Sequence, residues 1–484
     1  MTLQTVLDEI SRRPGSGETI SVINPATEET IVEFADGGAE AVDDAVASAR
    51  ASFDSGVWSG LPGNERAKVL WRVADLIDEN GDDLAQIDSF NTGMPLMQAR
   101  MITSTCAEAF RYYAGWCTKV DGIAYDVQQT GGITGAFSNM HGYTLKEPYG
   151  VVGLIFPWNG PIFNYCAKLA PSLAAGCSSV VKPAEETPLS ALLLDKILIQ
   201  AGVPEGVANL VTGYGHTAGA AITEHPGVEK VAFTGSTEVG KRIVAASAAN
   251  LKRVTLELGG KSPVLIYDDA DIGTATMMAA MGIFIHSGQG CICGSRIFAH
   301  RKVYDQVVES VTTIANSLKL GGPQDENCMI GPLISEKQLT RVMGFVDEGR
   351  SDGVEVITGG HRLDRPGYFV HPTVLADVDP GMRLYQQEIF GPVVAVLPFD
   401  DDDEVVALAN NSDYGLAATV WTKDISRAHR MAKRLQSGTV TLNCQMVFDH
   451  SMPFGGYKQS GWGYEWGRAG IESYLQTKTV YAQL

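Results

Sequence analysis

Residues 151–186 read VVGLIFPWNGPIFNYCAKLAPSLAAGCSSVVKPAEE. An apolar run, VVGLIF, stops at Pro157. A helical stretch, Ile162–Ala175, closes at Gly176. A second apolar run, SSVVK, stops at Pro183. Short, wholly apolar strands joined through helices suit a parallel sheet covered on both faces. The pattern continues with a helix over Leu189–Ala201 and the strands ANLVTG, KVAFTG and RVTLEL. The sequence therefore predicts an α/β fold with a doubly wound, Rossmann-like sheet. Ligands bind such sheets beyond the carboxyl ends of the strands. Here those ends carry PWN, KPAE, TGS and ELGG.

Outward from this core, a second alternation runs from SPVLIY to TVTLN after Gly260 and predicts a second α/β domain. On the N-terminal side, Ala39–Phe53 and Asn64–Asn80 read as helices. Ala67, Leu70, Val73, Ala74 and Ile77 fall at helical spacing. Val127–Lys146 is rich in Gly and Thr and reads as a β-hairpin or arm. The tail, ESYLQTKTVYAQL, alternates and could pair with that arm. An uncovered strand of this kind invites another chain, so a partner subunit is expected.

The totals agree with more than one domain. The chain has 484 residues, and single cores stop growing near about 250–300. Hydrophobic residues make up 45% and charged residues 19%, a globular composition, and the net charge is −19. Such a charge disfavours nucleic acid and anionic membrane surfaces as partners. MTLQTVLDEISRR does not read as a secretory or transit signal. The apolar stretch near Met277–Ile285 is far shorter than the roughly 20 residues a bilayer needs. Eight cysteines spread over the whole length do not form a disulfide framework, so free thiols and a cytoplasmic setting are expected.

Several strand ends carry candidate chemistry. In FTGSTEVG, Gly235 lets backbone approach a ligand, and a helix starting at Ser236 offers free N–H groups to a phosphate. Ser236 could equally be a plain N-cap. GYGHTAG misses the usual glycine spacing of a dinucleotide loop by one residue and carries little weight. Lys182 and Glu185 in KPAEE suit a ribose, or form a solvated turn. Asn159, between two prolines, could aim its amide at a fixed point, or bond its own backbone. HSGQGCICGSR, residues 286–296, holds Cys291 and Cys293. The spacing is a poor metal motif, so no metal is expected, and a disulfide this tight would be strained. That leaves a buried structural cysteine or a nucleophile. A nucleophile needs a lowered pKa, oxyanion donors and a base, and Glu257 in TLELGGKSP is a candidate base.

FPWNGP, KPAEETP, FTGSTEVG, LELGGKSP, GQGCICGSR, EIFGPV and PFGGYKQSG, in this order, resemble the aldehyde dehydrogenase superfamily of non-acylating, hydrolytic type. The resemblance runs from NPATEE to the tail. It implies Cys291 as nucleophile, Glu257 as water-activating base, and Asn159 with the Cys291 backbone N–H as oxyanion donors. It implies NAD, with NADP the weaker alternative, held by Trp158, Lys182, Glu185, Gly235, Ser236, Glu388 and Phe390. It divides the chain into an NAD-binding domain (1–126 and 147–258), a catalytic domain (259–457) and an oligomerisation arm and tail strand (127–146 and 470–484). A homodimer or homotetramer follows. Gly160, Phe163, Ile285, Ile292, Phe448 and Phe454 fall at substrate-pocket positions. Gly160 stands where some members have an aromatic, and no arginine is placed to grip a second carboxylate. An apolar aldehyde is therefore expected: aromatic, terpenoid, or medium-to-long aliphatic. Two rivals are a CoA-acylating enzyme, which commonly lacks the acid, and a cysteine hydrolase with His286 as base. His286 departs from the family, which often has Asn there. Packing, hydrogen bonding and proton acceptance are all open roles for it, and Cys293 has no assigned task.

Overall fold

The computed structural model describes residues 3–13, 15, 17–126 and 140–483. The stretch 127–139 of the expected arm lies outside the described residues. The N-terminal part contributes helices α1 (Gly38–Ser55), α2 (Gly63–Glu79), α3 (Gly81–Thr92) and α4 (Leu96–Ala114). In α2, Leu70, Val73, Ala74 and Ile77 are all buried, so the helical spacing marks the inward face.

Strand β1 (Met140–Pro148) belongs to a small outlying sheet. The chain then winds through β2 (Val151–Ile155), α5 (Pro161–Ala175), β3 (Ser178–Lys182), α6 (Leu189–Ala201), β4 (Ala208–Leu210), β5 (Lys230–Thr234), α7 (Thr237–Ser247) and β6 (Arg253–Glu257). These five strands β2–β6 are parallel, in spatial order 4-3-2-5-6. Every residue of β2 and β3 is buried. Alternate side chains of β2 point to opposite faces. Val152 and Leu154 join the core under α5 and α6, while Val151 and Ile155 pack with Val42 and Val46 of α1. Burying each such side chain stabilises by about 1.5–3 kcal/mol. Strand β2 is flanked by β3 and β5, so the winding reverses there. The Trp158–Asn159 turn sits at the mouth of that switch point, where a crevice is expected.

Residues 258–262 lead directly into a second sheet. It comprises β7 (Pro263–Ile266), β8 (Arg296–His300) after helix α8 (Ile272–Phe284), β9 (Glu355–Thr358), β10 (Thr373–Ala376), β11 (Val393–Phe399), β12 (Ala417–Trp421) and β13 (Thr439–Leu442). The order is 9-10-11-8-7-12-13, parallel except for β9. The carboxyl end of β6 thus meets the amino end of β7. Later the chain returns as β14 (Gly461–Trp462), antiparallel to β6, with Gly461 opposite Glu257. Ser460 Oγ donates to the Gly259 carbonyl at 2.7 Å and accepts from Gly415 N–H at 2.9 Å, tying the two sheets together. The tail, β15 (Leu475–Gln483), pairs along the whole of β1 within the same chain. Tyr125 and Ala124 pair with the other side of β1.

Candidate active site

The thiol loop connects α8 to β8. His286, Ser287 and Gly288 all have left-handed backbone, with φ of 50°, 57° and 69°. For the two non-glycine residues this costs roughly 1–2 kcal/mol each. Surrounding bonds hold the turn in place. Ser287 Oγ donates to the Gly331 carbonyl at 2.7 Å, and the His286 N–H donates to Gln98 Oε1 at 3.1 Å. Gln289 is fully buried. Its Oε1 accepts from Ile334 N–H at 2.9 Å, and its Nε2 donates to the His286 carbonyl at 3.3 Å. The turn delivers Cys291 half-buried at the site. Cys293 lies 7% exposed in an apolar cluster with Val264, Ile283 and Val394.

The two glycines after Glu257 explain why these parts can meet. A Cβ on Gly260 would overlap the Cys291 carbonyl oxygen, and one on Gly259 would overlap the Glu388 carboxylate. Glu388 Oε1 accepts from Gly260 N–H at 2.9 Å. On the opposite wall, Asn159 Nδ2 donates to the Gln289 carbonyl at 2.9 Å. An amide carries two N–H donors, so this bond orients the group while a second donor remains.

The charges around the thiol are acidic. Burial pushes the Cys291 thiol well above its ordinary range, and Glu388, Cys293 and Glu257 push it further. Burial likewise lifts Cys293 to about 12. Glu388 is lifted to about 7 by burial, against the pull of Gly260 N–H, Arg341 and Lys261. Glu257 is 3% exposed, and neither carboxyl oxygen has a hydrogen-bond partner. Burial holds it protonated far above the usual carboxylate range. Glu465 adds to that shift and Lys168 opposes it. Lys168, fully buried on α5, pairs with Glu465 and donates to Thr234 Oγ1 at 2.7 Å. The His286 imidazole is pulled down to about 4 by burial, against the Asn159 main-chain carbonyl beside it.

A second group of residues lies along the strand ends of the first sheet. Lys182 Nζ donates to the Pro183 carbonyl at 2.8 Å and pairs with Glu185 at 3.2 Å. Glu185 Oε1 accepts from Gly215 N–H at 3.4 Å. GYGHTAG, discounted on its spacing, therefore packs against this pair, and Gly215–Gly219 forms a single wide turn. Gly235 N–H donates to the Glu257 carbonyl at 3.0 Å, which joins this region to the Glu257 strand. Ser236 caps α7, accepting from Val239 N–H at 3.3 Å. Trp158 and Phe390 meet edge to face with ring centres 5.3 Å apart. A carboxylate for ribose hydroxyls, a helix N-terminus for phosphate and a second carboxylate near the thiol form a donor set that fits a dinucleotide.

At the pocket positions, Phe163 contacts Phe448 at 5.3 Å and Trp466 at 5.4 Å, and Phe448 contacts His450 at 4.9 Å. Gly160 precedes α5 with room for a side chain: a Cβ would come no closer than 3.4 Å to Asn164 Nδ2. Ile285 and Ile292 are half-buried on either side of the turn, and Phe454 pairs with Glu465 through the backbone. The motifs alone did not mark Lys168, Glu465, Gln289 or Trp466. Among the described residues there is no cluster of three or more metal-ligating side chains, and no helix is long and apolar enough to cross a membrane.

This constellation has counterparts along the whole chain. The sequence profile of the Aldehyde dehydrogenase family matches residues 12–480. DhaS of Bacillus subtilis is 45% identical over 470 residues, covering 97% of this chain and 93% of the relative. The mitochondrial benzaldehyde dehydrogenase of Antirrhinum majus is 44% identical over 471 residues, covering 97% and 86%. Among solved structures, the NAD+ complex of aldehyde dehydrogenase from Bacillus cereus superimposes with a TM-score of 0.95 at 43% identity, covering 100% of this chain and 98% of that one. With its fold, its thiol loop and nearly its full length matched, the chain belongs to the aldehyde dehydrogenase family.

Proposed function

We propose that the chain oxidises an apolar aldehyde to its carboxylic acid with NAD, through covalent catalysis on Cys291. The observation that carries this is the close approach at Gly259–Gly260, which sets the Cys291 loop, Glu388 and the end of the Glu257 strand side by side. The Cys291 sulfur adds to the aldehyde carbon as its proton leaves, and the carbonyl electrons move onto oxygen. Asn159 Nδ2 and the Cys291 N–H donate to that oxygen, giving a stabilised thiohemiacetal. Removing one such donor typically costs about 2.7–4 kcal/mol. Bound NAD supplies the hydride acceptor, and a thioester remains on Cys291. Glu257, once ionised, takes a proton from water as the water oxygen adds to the thioester carbon. The C–S bond then breaks, the carboxylate leaves and the thiol is regenerated. Burial and the acidic neighbours favour the protonated forms of both thiol and acid, so ionisation is helped by higher pH or by a change in the local field.

Glu185 favours NAD over NADP, because a carboxylate accepts ribose hydroxyls and repels a 2′-phosphate. Lys182, Ser236, Gly235, Glu388, Trp158 and Phe390 complete that cradle. Phe163, Phe448 and the space at Gly160 favour an aromatic or long aliphatic aldehyde, and a relative named for benzaldehyde agrees. Glu257 argues against CoA as acyl acceptor. The hydrolase alternative is disfavoured, since burial lowers the basicity of His286 and its Nε2 has no hydrogen-bond partner. The exposed edge of β15 suits pairing with a second copy, and eight free cysteines suit the cytoplasm.

An aldehyde panel assayed by NADH absorbance, with NAD or NADP and with or without CoA, tests this. The expected result is NAD-dependent, CoA-independent turnover that favours aromatic or long-chain aldehydes. Equal turnover of succinic semialdehyde would remove the apolar assignment. A CoA requirement would remove the hydrolytic one.

A further inference from the structure

Helix α5 is buried along its whole length except at Phe163 and Asn164. These two side chains open its first turn, directly after the Asn159–Gly160 turn. Residues four apart on a helix are neighbours, so Asn164 stands over Gly160. The Cβ that Gly160 lacks would meet nothing closer than Asn164 Nδ2 at 3.4 Å and Phe163 Cβ at 3.9 Å. The space left by the missing side chain is therefore bordered by one ring and one amide. Phe163 continues the wall into Phe448 at 5.3 Å and Trp466 at 5.4 Å. Asn164 is the polar group on an otherwise aromatic face.

The orientation of this amide is fixed. Asn164 Nδ2 donates to the Gly160 carbonyl at 2.8 Å, and the same carbonyl accepts from the Asn164 N–H at 2.9 Å. A carbonyl can only accept, so the nitrogen faces it and Oδ1 points away. Among the described residues no donor reaches Asn164 Oδ1. The residue is half-buried, beside a ring that is half-buried as well.

We propose that Asn164 is a specificity-determining residue whose Oδ1 accepts a hydrogen bond from the substrate, and that the preferred substrate is an aromatic aldehyde bearing a ring hydroxyl. Oδ1 can only accept, so its partner must carry a donor. A cationic donor would lose its hydration against Phe163 and Phe448, whereas a neutral hydroxyl loses far less. The substrate ring packs on the aromatic wall, and its hydroxyl enters the space at Gly160. An aldehyde of the same shape with a methyl group there would strip water from Oδ1 and leave the oxygen unpaired. That is how a polar group in a pocket rejects an analogue. This inference rests on the apolar-aldehyde reading and narrows it.

The test measures kcat/KM with NAD for 2-, 3- and 4-hydroxybenzaldehyde and for the methyl counterpart of each, in the native protein and in Asn164→Leu. The hydroxyl-to-methyl ratio, native divided by variant, cancels the intrinsic reactivity of the aldehydes and any general loss of activity. Asn164→Leu is expected to lower that ratio about 3- to 10-fold at one ring position, the size of one neutral hydrogen bond. The ratios at the other positions stay as they are. Ratios unchanged at every position would overturn the proposal. An equal fall at all of them would overturn it too, as a general change in pocket polarity. Succinic semialdehyde turned over by the native protein as well as the aromatic aldehydes would overturn the apolar reading, and this proposal with it. Should leucine prevent folding, Asn164→Ala gives the same comparison.

Discussion

The two sheets supply the site from opposite ends. The first presents Asn159, Lys182, Ser236 and Glu257 at or just past the carboxyl ends of β2, β3, β5 and β6. The second presents Gly260, Cys291 and Glu388 just before the amino ends of β7, β8 and β11. Of the carboxyl-end residues, Asn159 and Ser236 sit on strand-to-helix turns, with Ser236 a plain N-cap, whereas Glu257 ends β6 and leads straight into β7. The amino-end residues sit where the backbone is unusual: left-handed at His286, Ser287 and Phe390, and stripped of side chains at Gly259 and Gly260. Recognition of a dinucleotide can use standard turns. The covalent chemistry proposed for Cys291 would depend on a loop whose geometry is enforced from outside.

The largest expected effect joins the two ends. Glu257→Gln should slow thioester hydrolysis about 10²- to 10⁴-fold, the usual contribution of a general base, while a burst of NADH survives in rapid mixing. In the native protein that hydrolysis should speed up as pH rises toward the raised pKa of Glu257. The same shift affects stability. The folded state binds the Glu257 proton more tightly than the unfolded state, so this contribution is present at low pH and is lost as pH rises through the folded pKa. Thermal unfolding across pH should therefore find Glu257→Gln the more stable protein on the alkaline side. A variant less stable than native there would contradict the buried, protonated acid.

Gly260→Ala tests the amino-end geometry alone. Its methyl would displace the Cys291 carbonyl, and a shift of about 1 Å can cost roughly 100-fold in rate. NAD affinity, measured by fluorescence, should change little by comparison. At the carboxyl end, Glu185→Gln should raise the KM for NAD about tenfold, or about 1.4 kcal/mol, and narrow the preference over NADP. The smallest effect belongs to Cys293→Ala, within about threefold in kcat/KM, since it trims one sulfur from a buried apolar cluster and removes none of the proposed reacting groups. A loss there matching that of Cys291→Ala would put the nucleophile on the wrong sulfur.

The same contrast explains what could be read in the sequence. The strands of the first sheet and their end residues follow from apolar runs stopped by proline and glycine. The helix α2 face follows from periodicity. Cys291 was ambiguous by type and spacing, and only the ordered motifs of a family separated it from Cys293. Its burial state, half-open beside a closed neighbour, depends on how α8 and β11 pack. Lys168 and Glu465 are 297 residues apart, and no local pattern links them to Glu257. GYGHTAG fails a spacing rule built for another loop and nonetheless adjoins Lys182 and Glu185. The tail strand's alternation was legible, and it pairs with β1 as expected.

The account rests on Cys291 carrying the acyl group. The direct measurement is peptide mass spectrometry of Glu257→Gln quenched in acid after mixing with NAD and an aromatic aldehyde. The expected result is one acyl group per chain, as a thioester on Cys291. Acylation of Cys293, or NADH formed in a burst with no acyl group on either sulfur, would contradict it.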